Sequence, residues 1–174
     1  MEVLKNQKCP LCKRNTLTLA QEEKDIPYFG KVLLFSLHCS NCHYKMSDVE
    51  AVEVREPARY TLEIKSEKDL NIRVVKSSAA TIKIPTLKID VRPGPASDGY
   101  ITNIEGVLNR FEAIIKDQKE FAEDEETRKK AKKILKKIWK IKCGELPAKI
   151  VIEDPTGNSA IISEKAKIEK LKIK

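Results

Sequence analysis

The apolar positions of this chain change period twice. From about residue 49 to 92 they recur in twos. Val49, Ala51, Val52 and Val54 make a first short run. Tyr60, Leu62 and Ile64 then alternate with Thr61 and Glu63. Ile72, Val74 and Val75 follow, then Ile82 and Ile84, then Leu87, Ile89 and Val91. A period of two built from β-branched residues predicts half-buried strands, and strands at intervals of roughly ten residues predict a sandwich or barrel. Pro85 predicts a strand end or bulge, because it has no N–H to give to a ladder. The cluster Arg92-Pro93-Gly94-Pro95-Ala96-Ser97-Asp98-Gly99 breaks the pattern.

Beyond it the period lengthens. Ile101, Ile104, Val107, Leu108, Phe111, Ile114 and Ile115 fall on one helical stripe. A second helix is predicted from about Asp124 to Cys143, with Ala131, Ile134, Leu135, Ile138, Trp139 and Ile141 as its apolar positions. Acidic residues 123–126 crowd its start and lysines its end, as the helix dipole favours. Gly144 suits the position after the helix, and Pro147 prevents continuation. The two helices form a hairpin at about residues 101–143. Strand signal then resumes at Ile150-Val151-Ile152, turns at Asp154-Pro155-Thr156-Gly157-Asn158-Ser159, continues through Ala160-Ile161-Ile162 and closes with Ile168, Leu171 and Ile173. The hairpin is thus inserted into one β-domain spanning 51–174.

Residues 1–50 form a separate small module. Val32 to Leu37 reads as a strand that runs into Cys39-Ser40-Asn41-Cys42, and 26 residues before that pair sits Cys9-Pro10-Leu11-Cys12. Each CxxC turn brings two sulfurs within reach of one ion, and two turns complete a tetrahedral thiolate site with Cys9, Cys12, Cys39 and Cys42 as ligands. Zinc is the default ion for such a closed site, and iron is the alternative. A thioredoxin-like redox pair does not come twice, and an odd total of five cysteines argues against a disulfide framework. His38 and His43 flank the second pair, where either could replace a thiolate or make contacts around the site. So few residues bury little surface, so the metal must supply folding energy.

Composition changes this picture modestly. The 174 residues carry a formal net charge of +8, which favours an acidic or nucleic-acid partner. Yet 34% of residues are charged and both signs are abundant, a composition that also suits surface ion-pair networks. No apolar run approaches the length of a membrane span, so a cytoplasmic protein is expected.

Three segments carry a family resemblance. Asp25-Ile26-Pro27-Tyr28-Phe29-Gly30-Lys31-Val32 leads into Cys39-Ser40-Asn41-Cys42-His43-Tyr44; Asp98-Gly99-Tyr100-Ile101-Thr102-Asn103-Ile104-Glu105-Gly106 precedes the hairpin; and Asp154-Pro155-Thr156-Gly157-Asn158-Ser159 follows it. In this order, and with the first cysteine pair, they resemble the ZPR zinc-finger proteins over nearly the whole chain. A single set of cysteine pairs marks the one-module, archaeal-type form. The resemblance implies a zinc ribbon followed by an A-domain, a jelly-roll-like double-stranded β-helix with an inserted helical hairpin. It also implies binding of translation elongation factor 1-alpha and assistance in its folding. The alternative function is nucleic-acid binding in translation or transcription.

Candidate partner-binding residues are Trp139 on the second helix and Asp154, Asn158 and Ser159 in the late turn, whose polar groups exceed what a turn requires. The run from Arg128 to Lys142 holds nine Lys or Arg residues, either a solvated face or a surface for acidic protein or RNA. Thr102 and Glu105 read as a capping box at the first helix start. Cys143 reads as a small apolar residue at a helix end. No phosphate loop or nucleophile elbow is visible, and the only two histidines lie beside the cysteine pair, so no enzyme activity is expected.

Overall fold

The computed structural model describes residues 1–172 apart from Tyr28, Val54 and Ala96. The expected strand positions of Val54 and Ile173, the Ala96 position of the breaker cluster and the Tyr28 position of the first resembling segment lie outside the described residues.

The N-terminal part is a four-stranded antiparallel meander. β1 (Glu2–Gln7), β2 (Leu17–Ile26), β3 (Gly30–Cys39) and β4 (Lys45–Ala51) pair in chain order. The sequence pattern marks β3 and, through Val49 and Ala51, the end of β4, which belongs to this sheet and leaves Val52 exposed beyond it; β1 and much of β2 carry no pattern because they are exposed. The β2–β3 hairpin is in register from Leu17 opposite Cys39 to Ile26 opposite Gly30, a ladder on the order of 30 Å long. Gly30, with φ +97°, closes its turn.

The remaining strands build two sheets around one core. β5 (Ala58–Ile64), β7 (Thr81–Ile84), β8 (Ile89–Val91), β10 (Ala148–Asp154) and β12 (Lys167–Lys170) form a sheet in the order β12-β5-β10-β7-β8. β6 (Arg73–Lys76), β9 (Tyr100–Asn103) and β11 (Ala160–Ile162) form the other, in the order β11-β6-β9. Alternation does the expected work: Leu62, Ile64, Ile82, Ile84, Ile150 and Ile152 point into the core, where Val74 and Ile161 of the second sheet join them. Burying such side chains stabilises by about 1.5–3 kcal/mol each. Pro85 ends β7 and opens a 3-10 turn, so Leu87 enters the core from that turn and not from a strand.

Helices α1 (Ile104–Glu120) and α2 (Glu125–Lys142) pack against this core through Ile104, Val107, Leu108, Phe111, Ile138 and Ile141. Two expectations are corrected here. Ile101 and Thr102 lie in β9, where Thr102 pairs with Val74. The helix is capped instead by Asn103, whose Oδ1 accepts from the Gly106 N–H at 2.8 Å. An extended Asn103 satisfies the orphan donor while keeping residue 102 in the ladder. Ile114, expected on the buried stripe, is exposed. The second helix runs as expected, with Asp124 as N-cap, accepting from Thr127 N, and Gly144 at φ +68° beyond its end.

The C-terminal segment is tied down by a buried carboxylate. Asp69 accepts from the backbone N–H groups of Lys65 and Ser66 at 2.9 and 3.0 Å and from Lys165 Nζ at 2.6 Å. The Lys165 ammonium, reinforced by the Lys65 N–H, holds its pKa down at about 2. A depressed folded-state pKa gives stability that is complete above about pH 5 and lost as pH falls from the unfolded value near 3.9 towards 2. Because Lys165 is mostly in water, about 1–2 kcal/mol is at stake. Acid titrations of unfolding should therefore separate wild type from Asp69→Asn, the variant losing less stability between pH 5 and 2. Parallel curves would remove Asp69 from the acid response.

Candidate metal centre

The two CxxC turns close the end of the ribbon sheet farthest from the β-domain, and they are built alike. In the first, Lys13 N donates to Cys9 O and Cys9 N to Arg14 O; in the second, His43 N donates to Cys39 O and Cys39 N to Tyr44 O. The residue after each second cysteine is left-handed, Lys13 at φ +62° and His43 at φ +59°. From the sequence, His43 is expected as a ligand or a contact around the site. It is the residue that turns the chain out of the knuckle, and the matching Lys13 at the equivalent position was the available signal. Both histidines are exposed.

The four sulfur atoms all lie within 4.8 Å of one another. Cys9 and Cys42 Sγ are 3.7 Å apart, as are Cys12 and Cys39 Sγ. Four thiolates at about 2.3 Å from a tetrahedral zinc ion stand about 3.8 Å apart, so the donor set fits. A disulfide would need sulfurs about 2 Å apart. Thr16 Oγ1 lies 3.2 Å from Cys39 Sγ. That hydroxyl, with the backbone N–H of Cys42, lowers the Cys39 pKa to about 5. The thiolate, the form that binds metal, is thereby favoured. Arg14 reaches across to Asn41 at 2.7 Å and links the two turns. Four protein thiolates leave zinc no open position for water, so the centre is structural.

A second cluster, not the metal, joins ribbon to β-domain. Ile26, Phe29, Val32 and Val49 of the ribbon bury against Val75 and Ala160. Phe29 is the ribbon's buried aromatic, and the Arg55 guanidinium lies 4.0 Å from its ring centre. Polar bonds surround this contact. Asp48 accepts from Ser78 N at 2.8 Å and from its hydroxyl, Ser47 N donates to Asp98 Oδ1 at 2.8 Å, and Gly99 N donates to Ser47 O at 2.9 Å. Nothing along the chain links Ser47 to Asp98 and Gly99, some 50 positions away, or Asp48 to Ser78, 30 positions away.

The late turn serves the same junction. Asp154 and Ser159 are completely buried. The Asp154 carboxylate accepts from the hydroxyls of Ser77, Thr156 and Ser159 and from Thr156 N, while Asn158 Oδ1 accepts from Ala51 N of β4 at 3.0 Å. The excess polar groups noted in the sequence are thus spent inside the protein. Of the four candidate partner-binding residues, Trp139 is the one left open to solvent, 55% exposed. Phe121, the C-cap of α1 at the hairpin tip, is 81% exposed, and Leu11 of the first knuckle 66%.

Comparison with known proteins agrees with this architecture. Residues 2–56 match the family model of the ZPR1 zinc-finger domain, and residues 68–174 match that of the ZPR1 jelly-roll domain. An uncharacterized ZPR1-like protein of Methanocaldococcus jannaschii is 45% identical over 165 residues, covering 94% of this chain and 83% of that protein. One of Pyrococcus horikoshii is 43% identical, covering 94% and 75%. A protein of Schizosaccharomyces pombe named a zinc finger chaperone is 31% identical over 146 residues, which are 78% of this chain but 30% of that longer protein. With a zinc ribbon fixed to a jelly roll and relatives of this closeness over most of its length, the chain belongs to the ZPR1 family.

Proposed function

We propose that this protein is a zinc-dependent binding protein that assists the folding of translation elongation factor 1-alpha in the cytoplasm, without catalysing a reaction. The observation that carries the binding role is the combination of a closed, four-thiolate centre with large apolar side chains left in water at separate places on a braced frame. Leu11 projects from the knuckle and Phe121 from the hairpin tip. Exposed aromatic and aliphatic groups on rigid supports suit anchoring to a partner surface, where a few buried side chains carry most of the affinity. The chaperone role is supported by the name of the fission-yeast relative. The choice of elongation factor 1-alpha rests on the resemblance of the three motif segments. Among the described residues no helix is long and apolar enough to cross a membrane.

The test is co-elution of the zinc-loaded protein with elongation factor 1-alpha of the same organism, at moderate salt, with GDP or a GTP analogue. A complex is expected, and Leu11→Ser with Phe121→Ser should weaken it at least 10-fold, since each removes an exposed anchor worth more than about 1 kcal/mol. No complex with either the native or the refolding factor would reject the assignment.

A further inference from the structure

We infer that the outward face of α2 binds single-stranded nucleic acid, with phosphates on its lysines and a base stacked on Trp139. From Thr127 to Cys143 the chain has nine Lys or Arg residues and no acidic one. Five of the nine are engaged. Lys129 and Lys130 pair with Glu125 and Glu126 in the first turn, Lys142 with Glu112, and Lys140 lies 3.9 Å from Glu145. Arg128 Nε donates to the Ala122 carbonyl. The remaining four, Lys132, Lys133, Lys136 and Lys137, are exposed and make no ion pair among the described residues.

Their arrangement distinguishes this face from ordinary solvation. Lys132, Lys136 and Trp139 follow one another at i, i+4 and i+7 and so form one stripe, with Lys133 and Lys137 beside it. Ala131, Ile138 and Ile141 are buried on the opposite side. A helix face that only solubilises mixes signs so that neighbours at i+4 attract. Here Lys132–Lys136 and Lys133–Lys137 repel, which destabilises the isolated helix. An external polyanion would relieve that repulsion. The rise of about 1.5 Å per residue sets successive lysines of the stripe about 6 Å apart along the axis, so that phosphates of an extended strand can be met in turn. Trp139, 55% exposed, adds an aromatic side chain among cations, the combination by which single strands are held without sequence preference. Net charge +8 supplies the long-range attraction.

Trp139 is the only tryptophan in the chain, so its fluorescence reports this face alone. Titration of the zinc-loaded protein with an oligouridine RNA of about 12 nucleotides at about 50 mM salt should quench it, and raising salt to about 200 mM should weaken binding about 50-fold if four phosphates are contacted. Lys132→Gln with Lys136→Gln should roughly halve the logarithmic salt dependence, because two of those contacts are gone. Trp139→Leu, followed by anisotropy of labelled RNA, should lose at least about 5-fold in affinity. All three positions are exposed, and circular dichroism checks that the variants keep the fold. Absence of quenching at low salt, or quenching that the lysine variant leaves unchanged, would overturn the inference. Equal quenching by polyglutamate would also overturn it and make the face a docking site for acidic protein.

Discussion

Removing the zinc is expected to unfold the outer half of the ribbon and leave its inner half and the jelly roll standing. The cluster beneath the knuckles contains three buried residues, Cys9, Leu17 and Cys39, with Cys12, Leu37 and Tyr44 half-buried against it. Three of those six are metal ligands. Without the ion, burial of Leu17, Leu37 and Tyr44 cannot offset the cost of fixing the backbone, about 1–2 kcal/mol per residue. Structural zinc supplies about 10–16 kcal/mol in isolated zinc-finger peptides. The inner half has its own support in Ile26, Phe29, Val32 and Val49, buried against Val75 and Ala160. Amide exchange after chelation should therefore show protection lost over about residues 2–20 and 37–46 but kept at Val32, Val49 and throughout β5, β7 and β10. Cys39→Ser should give the same map. Loss of protection at Val75 and Ala160 would mean instead that the metal holds the ribbon onto the jelly roll.

The contrast between the two halves also shows what the residues revealed by themselves. The metal ligands were legible because thiolate chemistry needs fixed local spacing, and both CxxC pairs carry it. The strands of the β-domain were legible wherever one face is buried, as in β10, where Ile150 and Ile152 are buried while Lys149 is exposed. β1 was not legible, because all six of its residues are exposed and periodicity arises only from one-sided burial. The start of α1 was misplaced for another reason. Ile101 continues the helical spacing by coincidence, and the competing ladder of Thr102 with Val74 is a tertiary contact invisible along the chain. The late turn was recognised as richer in polar groups than a turn needs, yet its destination was not. Only the fold brings Ser77 to Asp154 and Ala51 to Asn158.

These placements give the resembling motifs a common physical role. The segment from Asp98 and the turn from Asp154 both end at the seam between ribbon and jelly roll, and both meet β4. A protein that presents anchors from two parts gains affinity from holding them in fixed relation, because less freedom is lost on binding. Under the proposed function, the seam is therefore as much part of the binding device as Leu11 and Phe121.

Gly99→Ala should consequently act as a wedge. A Cβ at this position would lie 2.4 Å from Asp48 Oδ1, 2.7 Å from Val49 N and 2.9 Å from Asp48 Cα. Two of these three atoms are backbone, so no rotamer change relieves the overlap, and β4 must move. Its movement strains the bond from Gly99 N to Ser47 O and that from Ser47 N to Asp98, and it draws Asp48 from Ser78. Overpacking of this kind costs about 1–3 kcal/mol, and one or two weakened bonds add about 1 kcal/mol each, so a loss of about 2–5 kcal/mol is expected. Gly94→Ala is the control, because nothing lies within 4 Å of its added carbon, and it should stay within about 0.5 kcal/mol of wild type. Urea unfolding monitored at ribbon and jelly-roll amides separates the outcomes. If the seam is welded as described, Gly99→Ala shifts ribbon amides to lower urea while zinc content stays at one ion per chain. It should also weaken partner binding through the ribbon although Leu11 and all four cysteines are untouched. If Gly99→Ala unfolds like Gly94→Ala, the ribbon tolerates displacement and a fixed relation between the two parts is not what the motif secures.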